Sequence, residues 1–363
     1  MFHDGVPTVT IEQPDSSQEW AVVTARLDRV HDQARRIPDR HSADLYRGGA
    51  PTGVVTNPEA AFREVGPGLV VGSPAAAAAM IAVDNWTTSR PWWAGQALSV
   101  PGMIALETLE RAGYLRSFPH HLTACSLVTP QLEALEEFNA VGIAAAADET
   151  RFASCPVAVT SAACHNVYAY LAGTRQSEAV RYTVKTTCAR NEPSGFMVGR
   201  RMWSFTMREF VFVGPGDMAK AFADEAVDHL IETVRLSGLP AAVVRANDPF
   251  FIAQGAGPTI FQIAGDTKFE VVGLLPDGSE LAIASVNLHR RHFSEAFDIQ
   301  AADGSPAHTA CVAFGLERWA YWLLSYLDDA SLAPLAERLD TGTPLHGNGR
   351  GQAWRATTTG GCE

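Results

Sequence analysis

Residues Arg181 to Val213 have the sequence RYTVKTTCARNEPSGFMVGRRMWSFTMREFVFV. β-Branched and aromatic residues fill both ends of this stretch, whereas Pro193, Gly195 and Gly199 lie near its middle. Because proline and glycine interrupt strands and favour turns, this distribution predicts two strands joined by a loop. The stretch is therefore expected to form a β-hairpin, and the rest of the chain indicates which kind of sheet the hairpin belongs to.

The second half of the hairpin places a distinctive set of side chains on one face. Successive side chains of a strand alternate between its two faces. The residues expected to share a face are Arg201, Trp203, Phe205, Met207 and Glu209. A guanidinium group can bind phosphate and a flat ring can stack on a base, so the face is a candidate nucleotide site. Arg190 and Glu192, at the end of the first half, and Arg200 belong to the same candidate site.

The composition predicts a folded cytoplasmic protein with no membrane segment. The chain has 363 residues, 47% of them hydrophobic and 19% charged, which is ordinary for a globular protein. Its first residues are polar and do not resemble a signal peptide, and the apolar run from Val70 to Val83 is too short and too interrupted to span a bilayer. The six cysteines are therefore expected to be reduced.

The charge balance argues against a large nucleic-acid footprint. The formal net charge is −12, whereas binding to a phosphate backbone requires a basic surface. We therefore expect tRNA to be an improbable partner. An acidic protein partner would likewise need a local basic patch.

Several segments around the hairpin have recognisable patterns. Helical spacing predicts a helix over Gly102–Ala112, followed at Tyr114–Val128 by a strand that contains Pro119 and must lie at an edge or interface. Asp217 is expected to cap a helix over Met218–Leu236. Three later strand segments are expected at Ala241–Arg245, Phe269–Pro276 and Leu281–Leu288, and His308–Leu324 has the pattern of a strand, a turn at Gly315 and an apolar helix.

Three of these features resemble the motifs of class II aminoacyl-tRNA synthetases. The helix followed by the Pro119 segment resembles motif 1, which forms the dimer interface in that class. Arg190-x-Glu192 with Arg201-x-x-x-Phe205 resembles motif 2, and Gly315-Leu-Glu-Arg318 before the apolar helix resembles motif 3. The resemblance covers roughly residues 100 to 325. It implies an α+β fold with a class II synthetase-like antiparallel sheet flanked by helices, and we expect no tRNA-binding appendage.

A narrower resemblance is to the amino acid:[carrier protein] ligases, truncated homologues of atypical, methanogen-type seryl-tRNA synthetases. The segments that carry it are GYLRSFPHHLTA, SAACHNVY, TCARNEPS, RMWSFTMREFVFVG, ASVNLHRRHF and AHTACVAFGLER. The resemblance implies ATP-dependent adenylation of glycine, alanine or serine and transfer to the phosphopantetheine thiol of a carrier protein. We expect an N-terminal extension at residues 1–60, a catalytic domain at 61–335 and a mobile tail at 336–363.

The resemblance also implies the site residues. Cys164, Glu209 and Cys311 match the family's zinc ligands in the amino-acid pocket, where an open fourth position would select an α-amino group. The nucleotide site implied for ATP consists of Arg190, Arg200, Arg201, Phe205, Glu280 and Arg318, with Arg190, Glu192 and Arg318 as the catalytic residues. Glu280 is the candidate Mg²⁺ ligand, while Glu192, Ser285 and Asn287 are expected to contact the amino acid. His289 and His292 are expected in a polar pocket wall, with a second metal site as the alternative.

Three alternative functions are compatible with parts of this pattern. A genuine seryl-tRNA synthetase-like enzyme is disfavoured by the acidic charge. An adenylating enzyme of natural-product biosynthesis would share every motif. A catalytically inactive paralogue would have no chemical reason to keep Arg190, Arg201, Arg318 and the three metal-ligand positions.

Overall fold

A computed structural model describes residues 2–3, 6–7, 44–51, 57–192, 195–246 and 268–328. The strands are β1 Phe2–His3, β2 Val6–Pro7, β3 Asp44–Gly48, β4 Phe62–Gly66, β5 Leu69–Gly72, β6 Gln96–Ala97, β7 Met103–Ala105, β8 Ala124–Val128, β9 Phe152–Val159, β10 Val180–Ala189, β11 Ser204–Gly214, β12 Ala241–Arg245, β13 Lys268–Leu274, β14 Glu280–Arg290 and β15 His308–Gly315. The α-helices are α1 Pro74–Thr88, α2 Leu106–Arg111, α3 Tyr114–Ser117, α4 Leu132–Val141, α5 His165–Tyr170, α6 Gly216–Ser237, α7 His292–Phe297 and α8 Leu316–Leu324. Most of the expected N-terminal extension and the whole expected tail lie outside the described residues.

The hairpin predicted at residues 181–213 forms two adjacent strands towards one end of the main sheet. Strands β10 and β11 pair antiparallel over their whole length, from Val180 opposite Val213 to Ala189 opposite Ser204. The sheet has eight strands in the order β3-β12-β13-β14-β15-β11-β10-β6. All neighbouring pairs are antiparallel except β10 with the two-residue β6. The predicted α+β architecture is therefore confirmed.

The two faces of this sheet serve different purposes. On one face, the rings of Phe210, Phe212 and Phe314 belong to a large apolar core packed against α1, α6 and α8. On the opposite face, β11 and β15 present smaller or polar side chains, among them Glu209 and Cys311. Because side chains alternate along each strand, burying the aromatic residues on one face directs the polar ones to the other. The sheet thus provides a rigid floor for a pocket.

Three local predictions are wrong in detail. Residues 103–105 form strand β7 and the predicted helix begins only at Leu106, since Met103–Ala105 pair with β9. Pro119 does not lie in a strand but begins a 3₁₀ turn, Pro119–His121, and the strand starts later at Ala124. Asp217 is not the cap of α6, because the cap position is Pro215 and Asp217 lies in the first turn.

The remaining element predictions agree closely with the structure. β12 has the predicted bounds Ala241–Arg245, β13 and β14 pair as expected, and Gly315 joins β15 directly to α8. Gly238 ends α6 with a φ of 66°, a left-handed conformation that suits glycine. Among the described residues, no helix is both long and apolar enough to cross a membrane.

Candidate active site

A pocket lies on the polar face of the main sheet, over β11, β13, β14 and β15. Its lining includes the side chains of Cys164, Arg190, Glu192, Phe205, Glu209, Ser285, Asn287, Cys311 and Arg318, together with Ala162, Met202, Met207, Lys268, Glu270, Ala282, Ile283, Ala284, Ala313, Gly315 and Glu317. Nine of the twelve residues predicted for the site therefore line one pocket. The sheet positions most of them, since β11, β14 and β15 are adjacent strands.

Three of the pocket residues form a compact group with metal-ligand chemistry. Sγ of Cys164, Sγ of Cys311 and a carboxylate oxygen of Glu209 all lie within 4.8 Å of one another, and all three residues are buried. Glu209 and Cys311 share a face because Val211, two residues after Glu209, is opposite Cys311 in the ladder. Cys164 approaches from the segment before α5. Two thiol groups and a carboxylate are a donor set that suits zinc, and a tetrahedral ion would hold two sulfur ligands about 4 Å apart.

The protein environment orients this group and keeps water away from it. Oε1 of Glu209 accepts a hydrogen bond from the backbone N–H of Ala163 at 2.7 Å. Burial raises the pKa of the Glu209 carboxyl, while Cys164 and the neighbouring backbone amides oppose that rise. The neighbouring Cys311 thiol and burial both raise the pKa of Cys164. A divalent cation would offset these costs, because it favours the charged form of each ligand.

Arg190 and Phe205 form the part of the pocket that resembles a nucleotide site. Nε of Arg190 donates to the carbonyl oxygen of Ser161 at 2.9 Å, and its guanidinium carbon lies 5.4 Å from the centroid of the Phe205 ring. Glu192 is 4.0 Å from Nε of Arg201. Arg201 does not line the pocket itself but lies next to Glu192, which does.

Arg318 enters the pocket from the beginning of α8. Its Nε donates to the carbonyl oxygen of Arg200 at 2.8 Å, and its Nη1 donates to the carbonyl oxygen of Ala282 at 3.1 Å. Burial and the neighbouring Arg190 lower the pKa of the Arg318 guanidinium. Two guanidinium groups that destabilise each other in one cavity are suited to an anionic ligand.

Two predicted ATP contacts lie elsewhere. Arg200 is not among the pocket residues; its guanidinium donates to Asp277 at 2.7 Å, to Ser279 at 2.9 Å and to the Tyr321 hydroxyl at 3.0 Å. Glu280, the candidate Mg²⁺ ligand, is at the exposed start of β14, where it pairs with Arg47 at 3.2 Å. Its position next to a turn explains this, because the pocket is formed by residues further along the same strand.

Trp203 also departs from the face predicted for it. It precedes the first residue of β11, so the alternation of that strand does not extend to it. Its ring instead stacks on Phe196, with the ring centroids 5.8 Å apart, and its Nε1 donates to Thr123. Phe205, Met207 and Glu209, which lie inside the strand, do line the pocket as predicted.

Sequence reasoning missed three charged residues of the pocket. Lys268 and Glu270 lie two residues apart on β13, and their side chains form an ion pair at 3.0 Å. Charged residues at alternate positions of an otherwise apolar strand, KFEVVGL, are the signal that would have identified them. Glu317 accepts the backbone N–H of Thr206 with both carboxylate oxygens, at 2.9 and 2.8 Å, and burial raises its pKa.

The two histidines of the HRRH segment occupy different positions, and neither lines the pocket, so the prediction of a polar pocket wall is wrong for both. Nε2 of His292 is 2.9 Å from the carbonyl oxygen of Ala112. His289 is half-buried behind Cys311, and desolvation together with His292 and His165 lowers its pKa to about 3. Within the described ranges, Cys164, Glu209 and Cys311 form the single cluster of metal-ligand groups. The alternative of a second metal site at the two histidines is therefore not supported.

Comparison with solved structures shows the fold. The M. kandleri seryl-tRNA synthetase, solved in complex with A. aeolicus tRNASec, aligns with a TM-score of 0.68 and 18% identity, covering 93% of this chain and 72% of that one. The cytoplasmic serine-tRNA ligase of Naegleria fowleri, solved with AMP, aligns with a TM-score of 0.59 and 11% identity, covering 88% and 80%. The chain therefore has the catalytic fold of class II aminoacyl-tRNA synthetases.

Comparison with curated sequences identifies closer relatives, although no model of a protein family matches the chain. Amino acid–[acyl-carrier-protein] ligase 1 of Bradyrhizobium diazoefficiens is 34% identical over 272 residues, which are 72% of this chain and 81% of the relative. Ligase 2 of the same organism is 35% identical over 252 residues, which are 67% and 73%. Together with a synthetase fold and a pocket that combines arginines with a cysteine–glutamate group, these identities show that the chain belongs to the amino acid–[acyl-carrier-protein] ligase family.

Proposed function

We propose that this protein uses ATP to activate a small α-amino acid as the aminoacyl-adenylate and then transfers it to the phosphopantetheine thiol of a carrier protein. The observation that carries the proposal is that one pocket combines the Cys164–Glu209–Cys311 group with Arg190, Phe205 and Arg318. The first set suits an amino group held by a metal ion. The second set, Arg190, Phe205 and Arg318, suits a nucleoside triphosphate.

On the nucleotide side, each side chain has a distinct task. The Arg190 guanidinium would hold the α-phosphate and neutralise the charge that grows there, since its donors form a planar fork. Arg318 would bind the terminal phosphates, assisted by Arg201 at the rim. The Phe205 ring offers a stacking surface for adenine. Mg²⁺ would accompany ATP, and the pocket carboxylates of Glu270 and Glu317 are better placed than Glu280 to provide its oxygen ligands.

On the amino-acid side, the three ligand groups fit zinc in donor type, spacing and burial. A zinc ion bound there would supply a Lewis-acidic position for the substrate's amino group. Asn287 adds a polar group, because its Oδ1 is buried without a hydrogen-bond partner among the described residues. Ser285, whose Oγ accepts from Nδ2 of Asn287 at 3.1 Å, fixes that orientation. Glycine, alanine and serine are the candidate substrates.

The reaction proceeds in two transfers. The amino-acid carboxylate attacks the α-phosphorus of ATP, and the bond to the leaving pyrophosphate breaks. The carrier's thiolate then attacks the carbonyl carbon of the mixed anhydride, and AMP leaves with the electrons of the broken C–O bond. In both steps the arginines position the groups and offset developing negative charge, so no side chain of this protein becomes covalently attached.

The acceptor and the assembly follow from different observations. The two curated relatives are named as ligases for an acyl-carrier protein, which favours a carrier as acceptor, and the net charge of −12 disfavours tRNA. A homodimer is proposed because large exposed apolar side chains concentrate between Met103 and Ile143. A reducing cytoplasmic compartment would suit a site built from two free thiols.

The direct test is amino-acid-dependent exchange between ATP and labelled pyrophosphate, with zinc content measured on the same preparation. We expect exchange with one or a few small amino acids. Arg190→Ala should abolish exchange without removing zinc, whereas Cys164→Ala should remove both. Cys188→Ala is the matched control, because Cys188 is equally buried but is not part of the metal-ligand group.

Transfer is tested separately by incubating the enzyme that holds the aminoacyl-adenylate with a phosphopantetheinylated carrier and, in parallel, with tRNA. A thioester mass on the carrier, absent from the apo-carrier, would support the proposal. Exchange followed by charging of tRNA would replace the carrier with a synthetase function. Folded, zinc-loaded protein without exchange for any standard amino acid would refute activation of a standard amino acid.

A further inference from the structure

His289 lies at a β-bulge directly beside the metal-ligand group. Leu288 pairs with Ala310 and Arg290 pairs with Thr309, so His289 is the extra residue of β14 between two consecutive residues of β15. Arg290 has a φ of 55°, an uncommon conformation for a residue other than glycine. Bulges near active sites redirect side chains. Here the bulge accompanies a histidine whose ring packs against the back of Cys311.

The histidine ring contacts polar groups on both sides. Its Nε2 is 3.7 Å from Sγ of Cys311. Its Nδ1 is 3.3 Å from the hydroxyl of Tyr168 and 3.4 Å from that of Thr309. Tyr168, like Cys311, is buried in this part of the core, and its ring stacks on Phe293, with the ring centroids 4.1 Å apart. The contacts therefore connect a buried tyrosine through a half-buried imidazole to a buried cysteine sulfur.

The chemistry of a bound metal fixes the direction of these hydrogen bonds. A cysteine that ligates a metal is a thiolate, which can only accept. A neutral imidazole carries one N–H, so an Nε2–H that donates to Cys311 leaves Nδ1 as an acceptor. The Thr309 hydroxyl donates to the carbonyl oxygen of Arg290 at 3.5 Å, so the Tyr168 hydroxyl is the donor to Nδ1. Tyr168 consequently selects the tautomer that His289 needs in order to face a thiolate.

A second donor reaches the same sulfur. Nδ2 of Asn287 is 3.6 Å from Sγ of Cys311, and Asn287 is directly opposite Cys311 in the ladder. His289 is the bulge residue two positions later, and its Nε2 reaches the same sulfur at 3.7 Å. Cys311 therefore receives N–H groups from both residues.

We propose that His289 is a positioning residue for the metal centre, which donates Nε2–H to the Cys311 thiolate in a tautomer selected by Tyr168. The inference rests on the metal centre of the proposed function. In metalloproteins such outer contacts orient the ligand and tune its basicity, and losing one typically weakens metal binding about 10- to 100-fold. Neither residue contacts the substrate in this role.

Cobalt substitution provides a test that does not depend on activity. Co²⁺ bound to cysteine gives a sulfur-to-cobalt charge-transfer band, and a hydrogen bond to sulfur raises its energy by stabilising the sulfur electrons. His289→Phe should shift the band to longer wavelength and weaken metal binding about tenfold or more in competition with a chelator. His289→Gln, which retains an N–H donor, should restore part of both properties. Tyr168→Phe removes only the hydroxyl and keeps the aromatic ring that packs on Phe293. It should shift the band in the same direction as His289→Phe.

Phe293→Leu is the control for packing, because its ring contacts both Tyr168 and His289 but offers no hydrogen bond. It should leave the band in place. If the wild-type band is unchanged in both His289→Phe and Tyr168→Phe, the inference is overturned and the metal centre stands. A shift in Phe293→Leu as large as that in His289→Phe overturns the inference in the same way. Wild-type protein without a sulfur-to-cobalt band would overturn the metal centre, and this inference with it.

Discussion

Arg190 lies over the ring of Phe205, with the guanidinium carbon 5.4 Å from the ring centroid. The hairpin produces this relationship, because Cys188 of β10 is opposite Phe205 of β11, which brings the residue two positions after Cys188 to the same end of the ladder. A hydrogen bond from Arg190 Nε to the Ser161 carbonyl oxygen fixes the arginine from the other side. One strand pair thus supplies both the proposed phosphate ligand and an aromatic surface.

The first prediction concerns this aromatic surface. Phe205→Leu should raise the KM for ATP about tenfold or more, because stacking of a base on an aromatic ring contributes roughly 1–3 kcal/mol. The KM for the amino acid should change little. Pyrophosphate exchange at varied ATP concentration measures the effect. Phe138→Leu is the matched control, because Phe138 lies on helix α4 and does not line the pocket. An unchanged KM for ATP would place the base elsewhere.

The second prediction separates two adjacent arginines. Arg200 donates to Asp277, Ser279 and Tyr321, so Arg200→Ala should lower the free energy of unfolding by about 1–3 kcal/mol. Arg201→Ala should leave stability nearly unchanged but raise the KM for ATP. Urea unfolding and pyrophosphate exchange on both variants check this. If Arg200→Ala instead weakened ATP binding at unchanged stability, the assignment of the two roles would be reversed.

The main features of the fold were predictable from local sequence because they depend on short-range patterns. Residues 181–213 have strand-forming residues at both ends and proline and glycine in the middle, where the loop of the hairpin lies. Gly315 marks the junction of β15 and α8. The predictions failed where a tertiary contact overrides a local pattern. Residues 103–105 continue a helical pattern but pair with β9 instead. The residues around Pro119 predict a strand, and no local pattern marks the 3₁₀ turn that forms there.

Site residues that belong to a sequence motif were predictable. Those that are brought into the pocket only by the tertiary fold were not. The metal-ligand group comes from the residue before α5 and from strands β11 and β15, which no local pattern connects. The family resemblance alone suggests it. Glu280 was assigned to the site from its strand, yet the strand's start faces Arg47 instead of the pocket. Lys268 and Glu270 belong to no motif, and only their alternation within the otherwise apolar strand β13 indicates that they share a face.

The third prediction concerns association. Among the described residues, seven of the fifteen large hydrophobic side chains that are exposed lie between Met103 and Ile143, with Ile143 86% exposed and Leu127 58% exposed. Leu127 is on β8, an edge strand of the small sheet β7-β9-β8. An exposed apolar edge of this kind is typical of an interface. Leu127→Glu should shift the protein from dimer to monomer in sedimentation equilibrium.

Ile81→Glu provides the control for that experiment, since Ile81 is 60% exposed but lies on α1, outside this region. It should not change the mass. A wild-type monomer at micromolar concentration would contradict the proposed dimer. Equal dissociation by both variants would indicate a nonspecific effect of added charge.

The fourth prediction is a pH dependence of stability that arises at His121. Its Nδ1 is 3.2 Å from the Tyr114 hydroxyl, and burial, Arg190 and His120 lower its pKa from 6.5 to about 4. The unfolded chain therefore binds a proton at this residue below pH 6.5, whereas the folded chain does so only below about pH 4, and stability should fall as the pH decreases through that window. In His121→Gln the difference in melting temperature between pH 7.5 and pH 5 should be smaller than in the wild type.

Because each protein is compared with itself at two pH values, a general loss of packing in the His121→Gln variant cancels. An undiminished difference would mean that the acid sensitivity arises from other groups and that His121 is not held neutral beside Arg190.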